Sequence, residues 1–142
     1  MRIHWGTIPV YADEYLKIID ITKEVERVVR ESDIKEGFVI VYSPKPTSAV
    51  AINENDPDLW KDILETYQRL VPVKAEYRHN AKYKGIPSEE NAHAHILNTF
   101  IGTSVVIPIR NGRLQLGTWQ SVLYIELDGF KRRELTVQVV GE

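Results

Sequence analysis

Apolar positions along the chain change spacing several times, and the changes divide it into elements. Residues 2–10 and 15–20 are short apolar-rich runs that predict a pair of strands. From Thr22 the spacing lengthens: Val25, Val28 and Val29 recur three and four residues apart, which predicts a helix with one apolar stripe. The Thr22 hydroxyl is expected to cap its first amides, Glu24 and Glu26 suit its positive end, and Gly37 is expected to stop it. Residues 38–42 are continuously β-branched or aromatic, as in a strand covered on both faces, and residues 48–53 predict a second strand after the break at Pro44 and Pro46. Asp56-Pro57 then opens a helix, with Asp as cap and Pro where a missing N–H costs nothing, and Leu59, Ile63, Leu64, Tyr67 and Leu70 continue its apolar face to Pro72.

Residues 73–88 show no period and contain Gly85 and Pro87, so they predict a loop. Residues 90–101 return to helical spacing through Ile96, Leu97, Phe100 and Ile101, ending at Gly102. Beyond it, Asn111-Gly112 and Asp128-Gly129 are turn signals between alternating runs, which predicts an antiparallel meander over 104–109, 113–116, 118–127 and 130–140. In the third of these, Trp119, Ser121, Leu123, Ile125 and Leu127 face one way, and Gln120, Val122, Tyr124 and Glu126 the other. The second face is too apolar to be merely wet, so the sheet is expected to pack on helices and on another sheet, its own or a second subunit's.

The expected fold class is therefore α+β: one domain over 1–142, an antiparallel β-sandwich with about three helices. A length of 142 residues suits one core. A net charge of −2 supplies no field for nucleic acid, and the absence of cysteine excludes disulfides and thiolate-ligated metals. No apolar run is long enough to span a membrane and no secretory leader pattern follows Met1, so no membrane partner and a cytoplasmic location are expected.

Four histidines are the first chemical candidates. His4 lies apart in the first strand and reads as a packing or surface residue. His93 and His95 cannot both serve one site, because two positions apart on a helix they point about 200° from each other. Projection puts His93 on the apolar face. His95 falls beside Asn98 and Thr99, on a strip that is either solvated or one wall of a pocket. His79 lies in the aperiodic segment. Asn53-Glu54-Asn55-Asp56 ends a strand just before a helix; a capping turn explains much of it and leaves Glu54 over. Lys45, Arg78, Lys82 and Lys84 could meet a phosphate ester or be ordinary surface cations. No phosphate loop, nucleophile elbow or fixed-spacing zinc motif is present, so the residues alone leave the activity open.

Several stretches resemble the YjbQ-like family, whose members are labelled secondary thiamine-phosphate synthases. They are Pro-Thr-Ser-Ala-Val-Ala-Ile-Asn-Glu-Asn-Asp-Pro at 46–57, Arg78-His79-Asn80, His95-Ile96 with Phe100 to Ser104, and Gly112-Arg113-Leu114-Gln115-Leu116-Gly117-Thr118-Trp119-Gln120. The resemblance implies a trimeric α+β sandwich, a histidine-lined pocket, and joining of a hydroxymethylpyrimidine diphosphate to a thiazole phosphate. On that basis Glu54, Lys45 and Arg78 are candidate catalytic residues. Asn53, Asn98, Thr99 and Trp119 are candidates for binding a small phosphorylated substrate, and His79 and His95 for holding a divalent metal, Zn or Mg. One departure weakens the metal: Lys45 stands where the family has its first histidine, and a protonated lysine has no lone pair to give. Metal-assisted hydrolysis of a small phosphorylated molecule, or non-catalytic ligand binding by a homotrimer, are the alternative functions.

Overall fold

The computed structural model describes residues 1–142 as two antiparallel sheets with helices between and beside them. The order is β1 (Arg2–Tyr11), β2 (Lys17–Asp20), α1 (Thr22–Ser32), β3 (Gly37–Tyr42), β4 (Ser48–Asn53), α2 (Pro57–Leu70), α3 (Arg78–Ala81), α4 (Ala92–Ile101), β5 (Ser104–Arg110), β6 (Arg113–Leu114), β7 (Ser121–Glu126) and β8 (Arg132–Gly141). The larger sheet runs β1-β8-β3-β5-β6 and the smaller β2-β7-β4. The α+β class, with three longer helices and one short one, is as expected.

The pairing differs from expectation in two places. The first two strands do not pair with each other: β1 lies along β8 and β2 along β7, so they belong to different sheets. Nor do the last four strands form a meander. The Asn111-Gly112 turn closes the β5–β6 hairpin as predicted, but β7 pairs with β2 and β4, and β8 returns to the larger sheet between β1 and β3. A turn signal fixes only that the chain reverses; it does not fix which sheet receives the next strand.

The two-sided apolar pattern of β7 is satisfied within the chain. Val122 and Tyr124 join the core against α1 and the larger sheet, with Val25, Val28, Val39 and Val137. Leu123, Ile125 and Leu127 join the second core under α2 and α4, with Ala94 and Leu97. A strand buried on both faces needs no second subunit to cover it.

Two helix boundaries follow different chemistry from that expected. The Thr22 hydroxyl does not cap α1; it donates to Asp20 Oδ1 at 2.6 Å and accepts from the Val122 amide at 2.8 Å, tying the helix start to β7. Asp20 takes the Thr22 amide instead, at 2.9 Å. At the other end α1 stops at Ser32, with Asp33 in the left-handed conformation at φ 56°, and Gly37 opens β3, where any side chain would run into the Val140 carbonyl. The α2 start is as predicted: Asp56 accepts from the Asp58 amide at 2.9 Å, with Pro57 in the first turn.

Between β7 and β8 the chain crosses from one sheet to the other, and a buried carboxylate organises the crossing. Glu126 is fully buried and takes the Arg133 guanidinium in two parallel hydrogen bonds of 2.8 Å. It also accepts from the Tyr124 hydroxyl at 2.7 Å and from the Asp128 and Gly129 amides at 3.1 and 3.0 Å. The same carboxylate, after the larger effect of burial, holds the Tyr124 hydroxyl protonated by raising its pKa. A buried charge with this many donors is stable in place and very costly to leave unpaired. Glu126→Gln is expected to lower stability by about 3–5 kcal/mol in urea unfolding. Replacing Glu126 and Arg133 together by Leu and Met should recover only part of the loss, because the Tyr124 hydroxyl and two amides stay without an acceptor. A single-variant loss below about 1 kcal/mol would contradict this role.

Candidate functional site

The crossing between β7 and β8 also fixes the start of α4. His93, buried to 1% exposure, donates from Nε2 to the Leu127 carbonyl at 2.8 Å, and Asn91 donates to Asp128 Oδ2 at 2.9 Å. Lys131 closes on the same Asp128 oxygen. His93 is thus a packing residue, as projection indicated, and its Nδ1 is buried without a partner. Two residues on, His95 emerges from the other side of the helix into a cavity of about 460 Å³.

The segment before α4 supplies the opposite wall. What the sequence showed as aperiodic contains α3, four residues long, too short to leave a periodic signature. It carries Arg78 and His79 into the cavity that His95 faces, with Glu76 and Tyr77 beside them. The rings of His79 and His95 lie 4.9 Å apart between centroids, and Tyr83 lies 5.2 Å from His79. Asn80 orients the pair. Its side-chain oxygen accepts from the Ala92 amide at 3.0 Å, so it is also the acceptor for His79 Nδ1 at 3.0 Å. His79 therefore donates from Nδ1, which leaves Nε2 as the ring nitrogen open to a ligand.

The surroundings of His95 disfavour its protonated form. Burial lowers its pKa below the usual imidazole value, the neighbouring His79 lowers it further, and Asp128 opposes both. Beyond Arg78 lies a second depression of about 870 Å³ that shares Glu76, Tyr77 and Arg78 with the first and adds Tyr15, Lys74 and Lys84. Two imidazoles thus adjoin an aromatic-walled hollow in which Lys74, Arg78 and Lys84 face Glu76 and Glu90.

Of the residues singled out from sequence, Arg78, His79 and His95 come together, with Lys84 in the adjoining hollow; Lys45, Asn53, Glu54, Asn98, Thr99 and Trp119 line neither depression. Lys45 is exposed on the loop between β3 and β4 and lines neither depression. Asn53 is exposed and accepts the Glu54 amide at 2.8 Å, while the Glu54 carbonyl takes the Trp60 indole at 2.9 Å. Asn98 ties α4 to β4 through the Ser48 carbonyl at 2.7 Å, and Thr99 bonds back to Ile96 at 2.6 Å. Trp119 stands 74% exposed on the loop before β7. Glu76 and Tyr77 line the cavity with no signal in the sequence, and Asn80, which appears there only within the Arg78-His79-Asn80 stretch, proves a brace through its bonds to the Ala92 amide and the His79 ring.

Within one chain no third imidazole or carboxylate joins His79 and His95 in a ligating group, so the pair falls short of the three protein ligands of a catalytic zinc.

Fold and site together define a class: an α+β two-sheet domain with a histidine-lined cavity between α3 and α4. The family model described as UPF0047 protein YjbQ-like matches residues 7–142, and the chain belongs to that family. It is 42% identical to a UPF0047 protein of Archaeoglobus fulgidus, covering 88% of this chain and 92% of that one. It is 35% identical to the UPF0047 protein YugU of Bacillus subtilis, covering 95% and 98%. Among solved structures, a protein of unknown function from Sulfolobus solfataricus P2 superposes with a TM-score of 0.92 at 34% identity over 99% of both chains. An uncharacterised family member from Clostridium acetobutylicum gives 0.86 at 34% identity over 95% of this chain and 99% of that one.

The buried His93 makes a pH prediction. Burial lowers its pKa, outweighing the opposing Leu127 hydrogen bond and Asp128 charge. The unfolded state, titrating near 6.5, then binds more protons than the folded state below that pH. Stability is full above 6.5 and falls as pH drops through the lower folded value. Urea unfolding between about pH 8 and about pH 5 should show this decline. His93→Gln, which can still donate to Leu127 but does not titrate, should flatten it; an unchanged slope would remove His93 as its source.

Proposed function

We propose that the paired depressions bind small phosphorylated molecules, and that joining a hydroxymethylpyrimidine diphosphate to a thiazole phosphate is their reaction. The observation that carries this reading is the convergence of His79, His95 and Arg78 on one cavity beside a second with Lys74, Lys84, Tyr15 and Tyr77. In that reaction the thiazole nitrogen attacks the pyrimidine methylene carbon, the carbon–oxygen bond to diphosphate breaks, and diphosphate leaves with the electron pair. The attacking nitrogen has no proton to lose, so no base is required; the need is for positive charge on the leaving group. Arg78 and Lys84 suit that task. The His79 lone pair can accept from the pyrimidine amino group, and the tyrosines offer faces for flat rings.

A second reading, hydrolysis of a small phosphate ester, is favoured by the lowered pKa of His95, which suits a general base at neutral pH. Single-turnover assays with both precursors separate the two. Thiamine phosphate is the expected product, with Arg78→Ala slowing its formation about 100-fold. Release of inorganic phosphate without it would favour hydrolysis, and retained binding with no turnover of either kind a ligand-binding protein.

For assembly we infer a homotrimer. The resemblance supplies the number, and the outer face of the larger sheet offers a surface. In its register Ile3 opposes Val140, Val140 opposes Phe38, and Phe38 opposes Pro108, while Ile40 opposes Val106 in the next row. Ile3, Trp5 and Val106 are 53, 63 and 58% exposed, an apolar face that favours association. Sedimentation should give three times the 16.4 kDa chain mass, and Trp5→Glu should shift it towards monomer. Monomeric wild-type protein at micromolar concentration would exclude this assembly.

A further inference from the structure

A third depression, about 540 Å³, lies between α1, the β5–β6 turn and the loop leading into β7. It shares no residue with the histidine cavity or its neighbour. Much of its wall is the Gly112–Gln120 stretch, to which the histidine site gives no role. We propose that this depression binds a small organic phosphate monoester, the phosphate between Arg30 and Arg113 and its apolar body on Leu114 and Leu116.

Charge and shape carry the proposal. Arg30, Lys35 and Arg113 face the hollow against one carboxylate, Glu26. Neither guanidinium has an ion-pair partner in the protein, so both keep their paired donors for a ligand. Lys35 pairs only with exposed Asp33 at 3.3 Å. Its stem lies across the hairpin turn: a Cβ at Gly112, where φ is +73°, would meet Lys35 Cδ at 3.2 Å. The glycine therefore lets the turn and the lysine share one edge of the hollow. On the other side Gln120 accepts the Gly117 amide at 2.8 Å, which pins the loop and leaves the Gln120 amide nitrogen as a donor. Val29, Leu114 and Leu116 supply the apolar surface. Lys35 is already offset by Asp33, so the two unpaired guanidiniums set against the Glu26 carboxylate leave the hollow positive and supply the paired donors that phosphate oxygens take.

Phenyl phosphate is a suitable probe, followed by backbone amide NMR on the intact chain. Saturable shifts are expected at Gly112, Arg113, Leu114 and Gln120. In Arg30→Gln/Arg113→Gln, whose melting temperature checks the fold, affinity read at those amides should fall at least ~10-fold, since hydrogen bonds to charged groups are each worth over 1 kcal/mol. Arg78→Ala should leave it unchanged, which keeps this site separate from the proposed reaction. Shifts confined to Arg78, His79 and His95, equal affinity in the double variant, or no saturable shift at millimolar probe would each overturn the proposal.

Discussion

One buried carboxylate sets much of the architecture. Glu126 ends the strand that both cores share, and its five donors come from β7, β8 and the turn between them. By holding that turn it decides that β8 leaves the smaller sheet for the larger. Arg133 extends the tie by donating to Thr47 at 2.9 Å, just before β4. The turn then holds α4 through Leu127 and Asp128, and α4 carries His95. The histidine cavity is thus built outward from an ion pair in the core, and its geometry inherits the rigidity of a fully satisfied buried network.

The elements were legible where periodicity is local. Val25, Val28 and Val29 mark α1, Asp56-Pro57 marks the start of α2, and Asn111-Gly112 marks the hairpin, because each is a short-range pattern with a short-range cause. The partners of β1, β2, β7 and β8 were not legible, since alternation states which faces are apolar and not what covers them. Thr22 illustrates the same limit: a hydroxyl at a helix start looks like a cap until a strand amide a hundred residues away claims it.

The site divides along the same line. Helical projection separated His93 from His95 correctly, because both lie on one element. That His95 meets His79 came only through family resemblance; spacing alone left His95 as solvated strip or pocket wall. Asn80 has no local pattern to mark its role, since that role lies in bridging the Ala92 amide and the His79 ring. Glu54 and Asn53 stand at a strand end, a common catalytic place, yet their hydrogen bonds serve the turn into α2.

The functional reading rests on His79, His95 and Arg78 forming a phosphate-receiving pocket. It is tested most directly by the pH titration of the histidine ring protons, with and without saturating inorganic diphosphate. Without it His95 should titrate below the ordinary 6.5, held there by burial and His79. With diphosphate bound, the added negative charge should raise the His95 pKa. A His95 titration that diphosphate does not move would contradict the account.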